Sequence, residues 1–433
     1  MTTRSEELFR RAVQVLPGGV SRNTLLRDPH PLYVDKASGC MTTDVEGVER
    51  IDFANNMASL IHGHGHPSIV EAVTEQLARG TAFTMATEAE VIFAHHLCNR
   101  SPNFDKLRFV NSGTEAVMAG LKAARAFTDR PKIAKIEGTY HGAYDYAEVS
   151  QSPQPSRWGD ASSPTSVPLA VGTPDGVLAD VIVLPFNDPE AATAILDQHR
   201  GEIACVLVDP MPHRAGLIPA TEAFVRALRE WTTKDGSLLM FDEVITFRTE
   251  FGGMQSRLGV RPDLTSMGKM IGGGFPVGAI AGREEVMGVF APGGDGPRLP
   301  HSGTFSANPI TMIAGYTAMN LFDCDAVTRL NELGTYARTQ LGEAISITGA
   351  PASVSGAGSM YRVHMKEELP WDYRSSFPTQ AEKKALTTFV NHLSDAGFLM
   401  IYSGAFTLST PMGRADIDRL AEAAVGALRK SME

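Results

Sequence analysis

Apolar strand candidates alternate with amphipathic helix candidates between about residues 60 and 320, and this alternation limits the folds open to the chain. Helices such as Thr114–Phe127 and Thr221–Thr233 separate the apolar runs. Those runs are Leu107–Val110, Ile133–Ile136, Val181–Leu184, Ala204–Val208, Leu238–Phe241 and Val277–Ala281. Strands separated by helices predict an α/β fold in which helices cover both faces of a mostly parallel sheet.

The two flanks of this region predict a second, smaller unit. Residues 4–15 indicate a short helix and residues 32–53 indicate strands. A helix near 308–322 leads to a last section with strands at 358–365 and 398–411 and helices at 379–396 and 414–430. We therefore expect an N-terminal segment, 1–60, that joins the small domain, a large domain over 61–320, and an α+β small domain over 321–433. The Ser-, Pro- and Gly-rich stretch 151–177 is interpreted as a mobile loop or an active-site lid.

Composition excludes several classes of partner. A net charge of -10 and a pI near 5.7 disfavour nucleic acids and anionic membranes, which both need a basic surface. No stretch approaches the eighteen apolar residues of a membrane span, and the first residues carry too many charges for a secretory signal. The four cysteines are scattered, with no CxxC pair, which argues against a zinc cluster or a disulfide framework. A cytoplasmic location is the default prediction.

Two segments have the chemistry to bind a phosphorylated aromatic cation at the carboxyl edge of such a sheet. Ser112, Gly113 and Thr114 lie between a strand and a helix, where free N–H groups and the helix dipole favour phosphate. An ordinary helix cap is the alternative. Asp242 ends the apolar run Leu238–Phe241, and a carboxylate that stays ionised there needs a cationic partner such as a protonated pyridine nitrogen. A capping or salt-bridged aspartate is the alternative.

Two further segments complete this predicted site. Lys269 stands alone in an uncharged, glycine-rich run, where apolar surroundings would lower its pKa and favour its use as a nucleophile. Tyr140 and His141 follow a strand, and an aromatic ring there is suited to stack on a planar cofactor, although a core tyrosine is the plainer interpretation. The alternating His62, His64 and His66 suggest a structural turn, and we expect no metal, since no carboxylate motif accompanies them.

In the order and spacing of these motifs the sequence resembles the class III aminotransferases of the fold-type-I pyridoxal-phosphate superfamily, from about Leu16 to Ile417. The resemblance implies pyridoxal 5'-phosphate as cofactor, with a Schiff base to Lys269 and Asp242 on the pyridine nitrogen. It implies further cofactor contacts from Ser112, Gly113, Thr114, Tyr140, His141, Val244 and Thr304. Thr304, in the motif HSGTF, would bind the phosphate of a neighbouring subunit, so a homodimer with composite active sites is expected.

Within that class the chain resembles the glutamate-1-semialdehyde aminomutases and the β-phenylalanine aminotransferases. The resemblance makes Arg22 a candidate for binding a substrate carboxylate, with Arg27 as a competitor and a plain surface arginine as the alternative interpretation. Met57 falls where the aminomutases tend to carry tryptophan, and His213 or Arg214 would face the substrate. The stretch 402–406 lacks the arginine that such relatives use for a dicarboxylate, which puts 2-oxoglutarate as acceptor in doubt.

The sequence thus predicts an aminotransferase that moves an amino group from an amino acid, β-amino acids included, or an amine to a keto acid. The alternative is an intramolecular aminomutase acting on glutamate-1-semialdehyde, with 151–177 as the lid that retains its intermediate. A catalytically silent binding protein on the same fold is a third hypothesis. The intact Lys269 and Asp242 argue against it, because a silent relative needs neither side chain.

Overall fold

A computed structural model describes residues 3–294 and 296–433 of the chain. Its strands in the first half of the chain are β1 Val34–Ser38, β2 Met41–Asp44, β3 Glu49–Asp52, β4 Lys106–Val110, β5 Lys132–Ile136, β6 Gly159–Asp160, β7 Ser163–Pro164, β8 Val181–Leu184 and β9 Ile203–Val208. Those in the second half are β10 Leu238–Asp242, β11 Leu264–Gly268, β12 Gly278–Gly282, β13 Ser353–Ala357, β14 Met360–His364, β15 Phe398–Leu399 and β16 Ala405–Thr407.

The helices cover the faces and the ends of these strands. In the first half they are α1 Arg4–Ala12, α2 Asn55–Ala58, α3 Pro67–Arg79, α4 Glu88–Cys98, α5 Gly113–Thr128, α6 Asp145–Glu148, α7 Asp175–Ala179 and α8 Pro189–Asp197. In the second half they are α9 Glu222–Asp235, α10 Met254–Leu258, α11 Glu284–Met287, α12 Pro309–Leu321, α13 Cys324–Thr348, α14 Tyr373–Ser376, α15 Gln380–Asp395 and α16 Arg414–Ser431. None of the described helices is both long enough and apolar enough to cross a bilayer.

Within the described residues, the large sheet has the strand order β4-β12-β11-β10-β9-β5-β8. Only β12 runs antiparallel to its neighbours, so the predicted mostly parallel sheet is confirmed. β9, β10 and β11 lie side by side and point the same way. Their carboxyl ends therefore bring Asp209, Asp242 and Lys269 to one edge of the sheet, where ligands of open α/β sheets bind.

β11, the strand that leads directly into Lys269, is absent from the strands predicted from the sequence. Its sequence, LTSMG, carries two polar residues, Thr265 and Ser266, that are completely or almost completely buried. A pattern of apolar residues does not predict such a strand, because its buried polar side chains form hydrogen bonds with residues that lie far away in the sequence.

Helix α5 packs closely against this sheet. Its apolar residues Val117, Leu121 and Ala124 share a core cluster with Met240 and Ile280 of the strands beneath. Gly120 is the residue of closest approach, since a Cβ there would lie 2.5 Å from the methyl carbon of Met240. This contact fixes the helix relative to β10, and so it fixes the start of α5 beside Asp242.

The N-terminal strands join the C-terminal part of the chain. β3 pairs with β15 in parallel, and this makes one sheet of the order β1-β2-β3-β15. A third sheet contains β13, β14 and β16. The pairing of β3 with β15 supports our proposal that residues 1–60 belong with the small domain, and the boundaries near 60 and 320 remain part of that proposal.

The structure differs from the sequence predictions at two places outside the large sheet. The strand predicted over 398–411 is two short strands, β15 and β16, interrupted at Gly404, whose φ of 77° suits glycine. The stretch 151–177 contains β6, β7 and the first residues of α7, so it is less irregular than expected. It is also bound to α14: the Tyr373 hydroxyl donates to the Pro153 carbonyl at 2.9 Å, and Arg374 donates to the Trp158 carbonyl at 3.0 Å.

Candidate active site

The start of α5 offers free hydrogen-bond donors at the edge of the sheet. Ser112 is its N-cap, and its hydroxyl accepts the N–H of Glu115 at 3.1 Å. The Ser112 hydroxyl therefore acts as a helix cap, which was the alternative interpretation of this residue. In the described part of the chain, the backbone N–H groups of Gly113 and Thr114 have no acceptor. These two donors, with the positive end of the helix dipole, suit a phosphate group.

The segments around Gly113, Val244 and Lys269 are in contact. A Cβ on Gly113 would lie 3.0 Å from both methyl groups of Val244. A Cβ on Gly268, the residue before Lys269, would lie 3.4 Å from the Gly113 Cα. The two glycines thus let three chain segments meet, and the predicted phosphate-binding segment lies next to the predicted nucleophile.

Asp242 is held at the end of β10 by partners on both carboxylate oxygens. Its Oδ2 lies 2.7 Å from His141 Nδ1. Its Oδ1 accepts the Val244 N–H at 3.1 Å and the Ser266 hydroxyl at 3.3 Å. Both side chains of the His141–Asp242 pair are buried. No lysine or arginine forms a salt bridge with Asp242 among the described residues, so this carboxylate is available for a cation supplied by a ligand.

His141 connects Asp242 to a second hydrogen bond. Its Nε2 lies 2.9 Å from the Thr139 hydroxyl, which lies 2.6 Å from the Ile136 carbonyl. Burial lowers the pKa of His141, and the bond to Asp242 opposes that change. The ring is therefore fixed at both nitrogens, and it fixes the orientation of the Asp242 carboxylate in turn.

Lys269 follows β11 in a strained backbone conformation. Its φ is 49°, in the left-handed region that non-glycine residues seldom adopt. Strain of this kind costs about 1–3 kcal/mol and is found most often at functional sites. Burial lowers the pKa of the Lys269 amine, while Asp242 and Asp209 oppose that shift. A larger fraction of neutral amine makes this side chain a better nucleophile at neutral pH.

Tyr140 lies on a loop whose position is set by a residue far along the chain. The loop passes Tyr373 so closely at Gly138 that a Cβ there would lie 2.0 Å from the Tyr373 ring. Tyr140 itself is 45% exposed, and the Arg214 guanidinium carbon lies 5.0 Å from the centre of its ring. The ring is thus accessible for stacking, as the sequence analysis expects, and Arg214 is close to it.

Two of the predicted substrate residues, Arg22 and Met57, line a cavity of about 230 Å³ between the N-terminal segment and β15. Arg22 Nη1 donates to Asn56 Oδ1 at 2.9 Å. Asn55–Ala58, the helical turn α2, has positive φ at all four residues, from 46° to 68°. The Asn55 amide donates to the Thr407 carbonyl at 2.8 Å and helps to hold this turn in place.

His213, the third predicted substrate residue, lies four residues after Asp209, beyond the carboxyl end of β9. Burial, together with the charges of Arg362 and Lys269, lowers the pKa of His213 to about 3. Its Nε2 lies 3.1 Å from the Ser403 hydroxyl. His213 is therefore a neutral ring, and no contact among the described residues joins Arg22 directly to Lys269.

Thr304 lies apart from the residues grouped around Lys269. It is exposed and makes no hydrogen bond within the described part of the chain. Its near neighbour Ser306 reaches Asn111 of the same chain, with Asn111 Nδ2 3.5 Å from Ser306 Oγ. The segment therefore runs beside the start of α5 of its own chain, with the Thr304 side chain free to contact another molecule.

The alternating histidines have protein partners. His62 Nε2 lies 2.8 Å from the Ala318 carbonyl, and His64 Nε2 lies 2.8 Å from Asp52 Oδ2. Over residues 3–294 and 296–433, no group of three or more His, Cys, Asp or Glu side chains is arranged to hold a metal ion.

The structure adds two polar residues that the sequence analysis did not assign to the site. Ser266 binds Asp242 from the unrecognised strand β11. Asp209 follows the apolar strand β9, and Asp242 is the last residue of the apolar strand β10, so the repetition of an apolar run before an aspartate was a usable sequence signal. Burial raises the pKa of Asp209, and so does the neighbouring charge of Asp242, while Lys269 opposes the shift.

The donors and acceptors of this edge fit pyridoxal phosphate. Free N–H groups suit its phosphate, the Asp242 carboxylate suits its pyridinium N–H, and the Lys269 amine suits its aldehyde. Gly113 and Gly268 bring the backbone segments that carry these groups into close contact.

Comparison with known proteins assigns the chain to a family. Residues 25–413 match the family model described as aminotransferase class-III. A glutamate-1-semialdehyde 2,1-aminomutase from Methanothermobacter thermautotrophicus is 40% identical over 371 residues, which are 86% of this chain and 86% of the relative.

Solved structures give the same assignment. An omega-transaminase from Sphaerobacter thermophilus is 46% identical, with a TM-score of 0.97 over 100% of this chain and 98% of that chain. A β-phenylalanine aminotransferase from Variovorax paradoxus is 35% identical, with a TM-score of 0.87 over 98% of this chain and 93% of that chain. These similarities confirm the predicted fold-type-I architecture, and the chain therefore belongs to the class-III aminotransferases, a family of pyridoxal-phosphate enzymes.

Proposed function

We propose that this enzyme transfers an amino group from an amino acid, β-amino acids included, or from an amine to a keto acid. The observation that carries the proposal is the arrangement of Lys269 and Asp242 at one edge of the sheet, beside the free N–H groups of α5. Similarity to an omega-transaminase and to a β-phenylalanine aminotransferase supports the same choice.

When bound, pyridoxal phosphate supplies an electron sink and carries the amino group between the two substrates. Gly113 and Thr114 would hold its phosphate through their backbone N–H groups. Asp242, oriented by His141, would accept the pyridinium N–H and keep the ring protonated. Tyr140 would stack on one face of the ring and Val244 would pack on the other.

Lys269 has two tasks in this proposal. Its amine would bind the cofactor covalently at rest, and after release it would move a proton at the reacting carbon of the substrate. Its depressed pKa suits both tasks, since the amine must be neutral to attack and to accept a proton. Arg22, Met57 and His213 would contact the substrate.

The second candidate is an intramolecular aminomutase that acts on glutamate-1-semialdehyde. The observation in its favour is the 40% identity to the curated aminomutase. The half-buried Met57, where the aminomutases tend to carry tryptophan, argues for a different pocket.

A half-reaction assay separates these two functions. The yellow holoenzyme is mixed with single amines and α- and β-amino acids, and the absorbance of its covalent cofactor bond is followed. We expect an aminotransferase to lose that absorbance with at least one donor and to recover it on addition of a keto acid. No response to any donor, together with isomerisation of glutamate-1-semialdehyde, would establish the aminomutase instead.

We also propose that the working unit is a homodimer in which Thr304 contacts the phosphate in the partner subunit's site. The support is its exposed hydroxyl, which has no partner in the described part of its own chain. A phosphate dianion favours several donors, each contributing about 1.5–3 kcal/mol as a charge-assisted bond. The alternative is that this segment serves the site of its own subunit, next to Asn111.

Mixed dimers of Lys269→Ala and Thr304→Ala chains test this arrangement. If the sites are crossed, one site of the heterodimer carries both defects and the other carries neither, so about half of the wild-type activity should return. Activity no higher than the contribution of the Thr304→Ala parent would show that the segment acts within its own subunit. Thermal unfolding of the Thr304→Ala apoprotein is the control, and we expect it to be nearly unchanged because the side chain is exposed.

A cytoplasmic location is part of the proposal as well. Its support is that Cys40, Cys98, Cys205 and Cys324 are all free thiols.

A further inference from the structure

Arg362, on β14, is a buried cation without an acidic partner. Its side chain is 8% exposed, and no carboxylate of the described residues lies within salt-bridge distance of it. Burial alone lowers its pKa to about 10, and no neighbouring acid opposes that shift. A buried guanidinium is normally paired, because removing an unpaired charge from water is costly.

The hydrogen bonds of Arg362 leave part of the guanidinium free. Nε donates to the Ser403 carbonyl at 3.0 Å, and Nη1 donates to the His213 carbonyl at 3.1 Å. Nη2 has no acceptor among residues 3–294 and 296–433, and it is not one of the unpartnered polar atoms that are sealed from solvent. The free edge therefore faces accessible space.

Arg248 shows what a purely structural guanidinium looks like in this protein. It is completely buried, and all three of its nitrogens donate: to the Ser359 hydroxyl, to the Ala58 carbonyl and to the Leu408 carbonyl. Arg362 is thus different from Arg248, since two of its nitrogens fix the plane of the group and the third is left without an acceptor.

The place of Arg362 connects it with the reacting groups. His213, whose carbonyl it binds, lies four residues after Asp209, beyond the carboxyl end of β9, and this end lies beside the ends of β10 and β11 that carry Asp242 and Lys269. The His213 ring contacts the Ser403 hydroxyl, so His213, Ser403 and Arg362 form one cluster. Two side-chain donors of this cluster, a hydroxyl and a guanidinium, suit a carboxylate.

We propose that Arg362, fixed by the carbonyls of His213 and Ser403, binds a carboxylate of the keto acid that accepts the amino group. The proposal rests on the aminotransferase function proposed above and specifies its substrate class. Arg362 would also supply a guanidinium beside residues 402–406. The lack of an arginine within that stretch is what put 2-oxoglutarate as acceptor in doubt. Keto acids, dicarboxylic ones among them, are then preferred over carbonyl compounds without a carboxylate.

Single-turnover kinetics of Arg362→Gln provide the test. The apoenzyme is loaded with pyridoxamine phosphate and mixed with pyruvate, 2-oxoglutarate or benzaldehyde, which has no carboxylate. We expect the apparent second-order rate constant to fall about thirtyfold for the two keto acids, as for loss of a charge-assisted hydrogen bond, and less than about threefold for benzaldehyde. Arg362→Lys keeps the charge without the planar fork and should show a smaller loss with the same selectivity.

The matched control is Arg338→Gln. Arg338 is a half-buried arginine of the small domain that donates to the Gly358 carbonyl at 2.8 Å and lies outside the His213–Ser403 cluster. It should leave all three rate constants within about threefold of wild type. Equal losses with all three acceptors in Arg362→Gln, or no loss at all, would overturn the proposal.

A binding measurement keeps this test separate from the proposed function. Glutarate has two carboxylates and no carbonyl, so its dissociation constant from the holoenzyme can be measured by thermal shift without turnover. We expect Arg362→Gln to raise that constant at least about tenfold. Equal glutarate affinity in both proteins overturns the role of Arg362, whereas failure of wild type to react with any carbonyl compound would count against the aminotransferase function itself.

Discussion

Lys269→Ala is expected to lower turnover by about four orders of magnitude or more, because the variant loses both a nucleophile and a proton carrier. The covalent bond to the cofactor should disappear with it. Reduction of the wild-type holoenzyme with borohydride should fix the cofactor on a peptide containing Lys269, and no such peptide should form in the variant. Turnover near the wild-type rate in Lys269→Ala would remove the lysine from the mechanism.

Lys135→Met is the matched control for this experiment. Lys135 is also a buried lysine, and burial lowers its pKa to about 7, but its Nζ donates to the carbonyls of Thr139 and Val149. We expect this variant to lose stability, since two carbonyl groups lose their donor, and to keep the borohydride-trapped bond at Lys269. On this expectation, burial and a low pKa are not sufficient for a lysine to bind the cofactor covalently. Lys269 differs from Lys135 because its amine is free and lies at the same sheet edge as Asp242.

Asp242→Asn is expected to lower kcat on the order of a hundredfold to a thousandfold while the protein stays folded. The amide has the size of the carboxylate, so the contacts to Val244 and Ser266 can persist. It has no negative charge, however, so the cofactor nitrogen loses the group that keeps it protonated. Steady-state kinetics with a donor found in the half-reaction assay give kcat, and circular dichroism checks the fold. Unchanged kcat would mean that the carboxylate has only a structural role.

Asp209→Asn provides the comparison within the same sheet edge. Burial raises the pKa of Asp209 well above its ordinary range, so this group holds its proton to a higher pH than an exposed aspartate does. Removing its charge should therefore matter less, and we expect a loss of kcat smaller than tenfold. Asparagine can still accept the Met211 N–H that Asp209 Oδ1 accepts at 2.9 Å.

The sequence was most informative where one short segment carries both the fold and the chemistry. Asp242 ends an apolar strand, and Lys269 stands alone among glycines, so a site role for both could be proposed from their immediate neighbours. The start of α5 is a further example, because strand, glycine and helix follow one another between Lys106 and Thr128. The mostly parallel sheet was predictable for the same reason, since its strands alternate with helices along the chain.

Features built from distant segments were not predictable in this way. Arg362 binds the carbonyl of His213, 149 positions earlier in the chain, and nothing near Arg362 in the sequence indicates that contact. β11 could not be predicted from an apolar pattern because its polar residues are buried against other strands. The hydrogen bonds from α14 to the carbonyls of Pro153 and Trp158 likewise join residues that are more than 200 positions apart in the chain.

On the substrate contacts proposed above for Arg22 and Met57, the left-handed turn Asn55–Ala58 limits how this enzyme can evolve new specificities. Its third residue, Met57, lines the cavity that also contains Arg22, so exchanging Met57 is a direct route to a differently shaped pocket. Every replacement must tolerate a φ of 58° within four consecutive positive-φ residues, a conformation that β-branched side chains strongly disfavour. Valine, isoleucine and threonine are therefore disfavoured at position 57. A change of the cavity shape at this position must use unbranched side chains, glycine or asparagine.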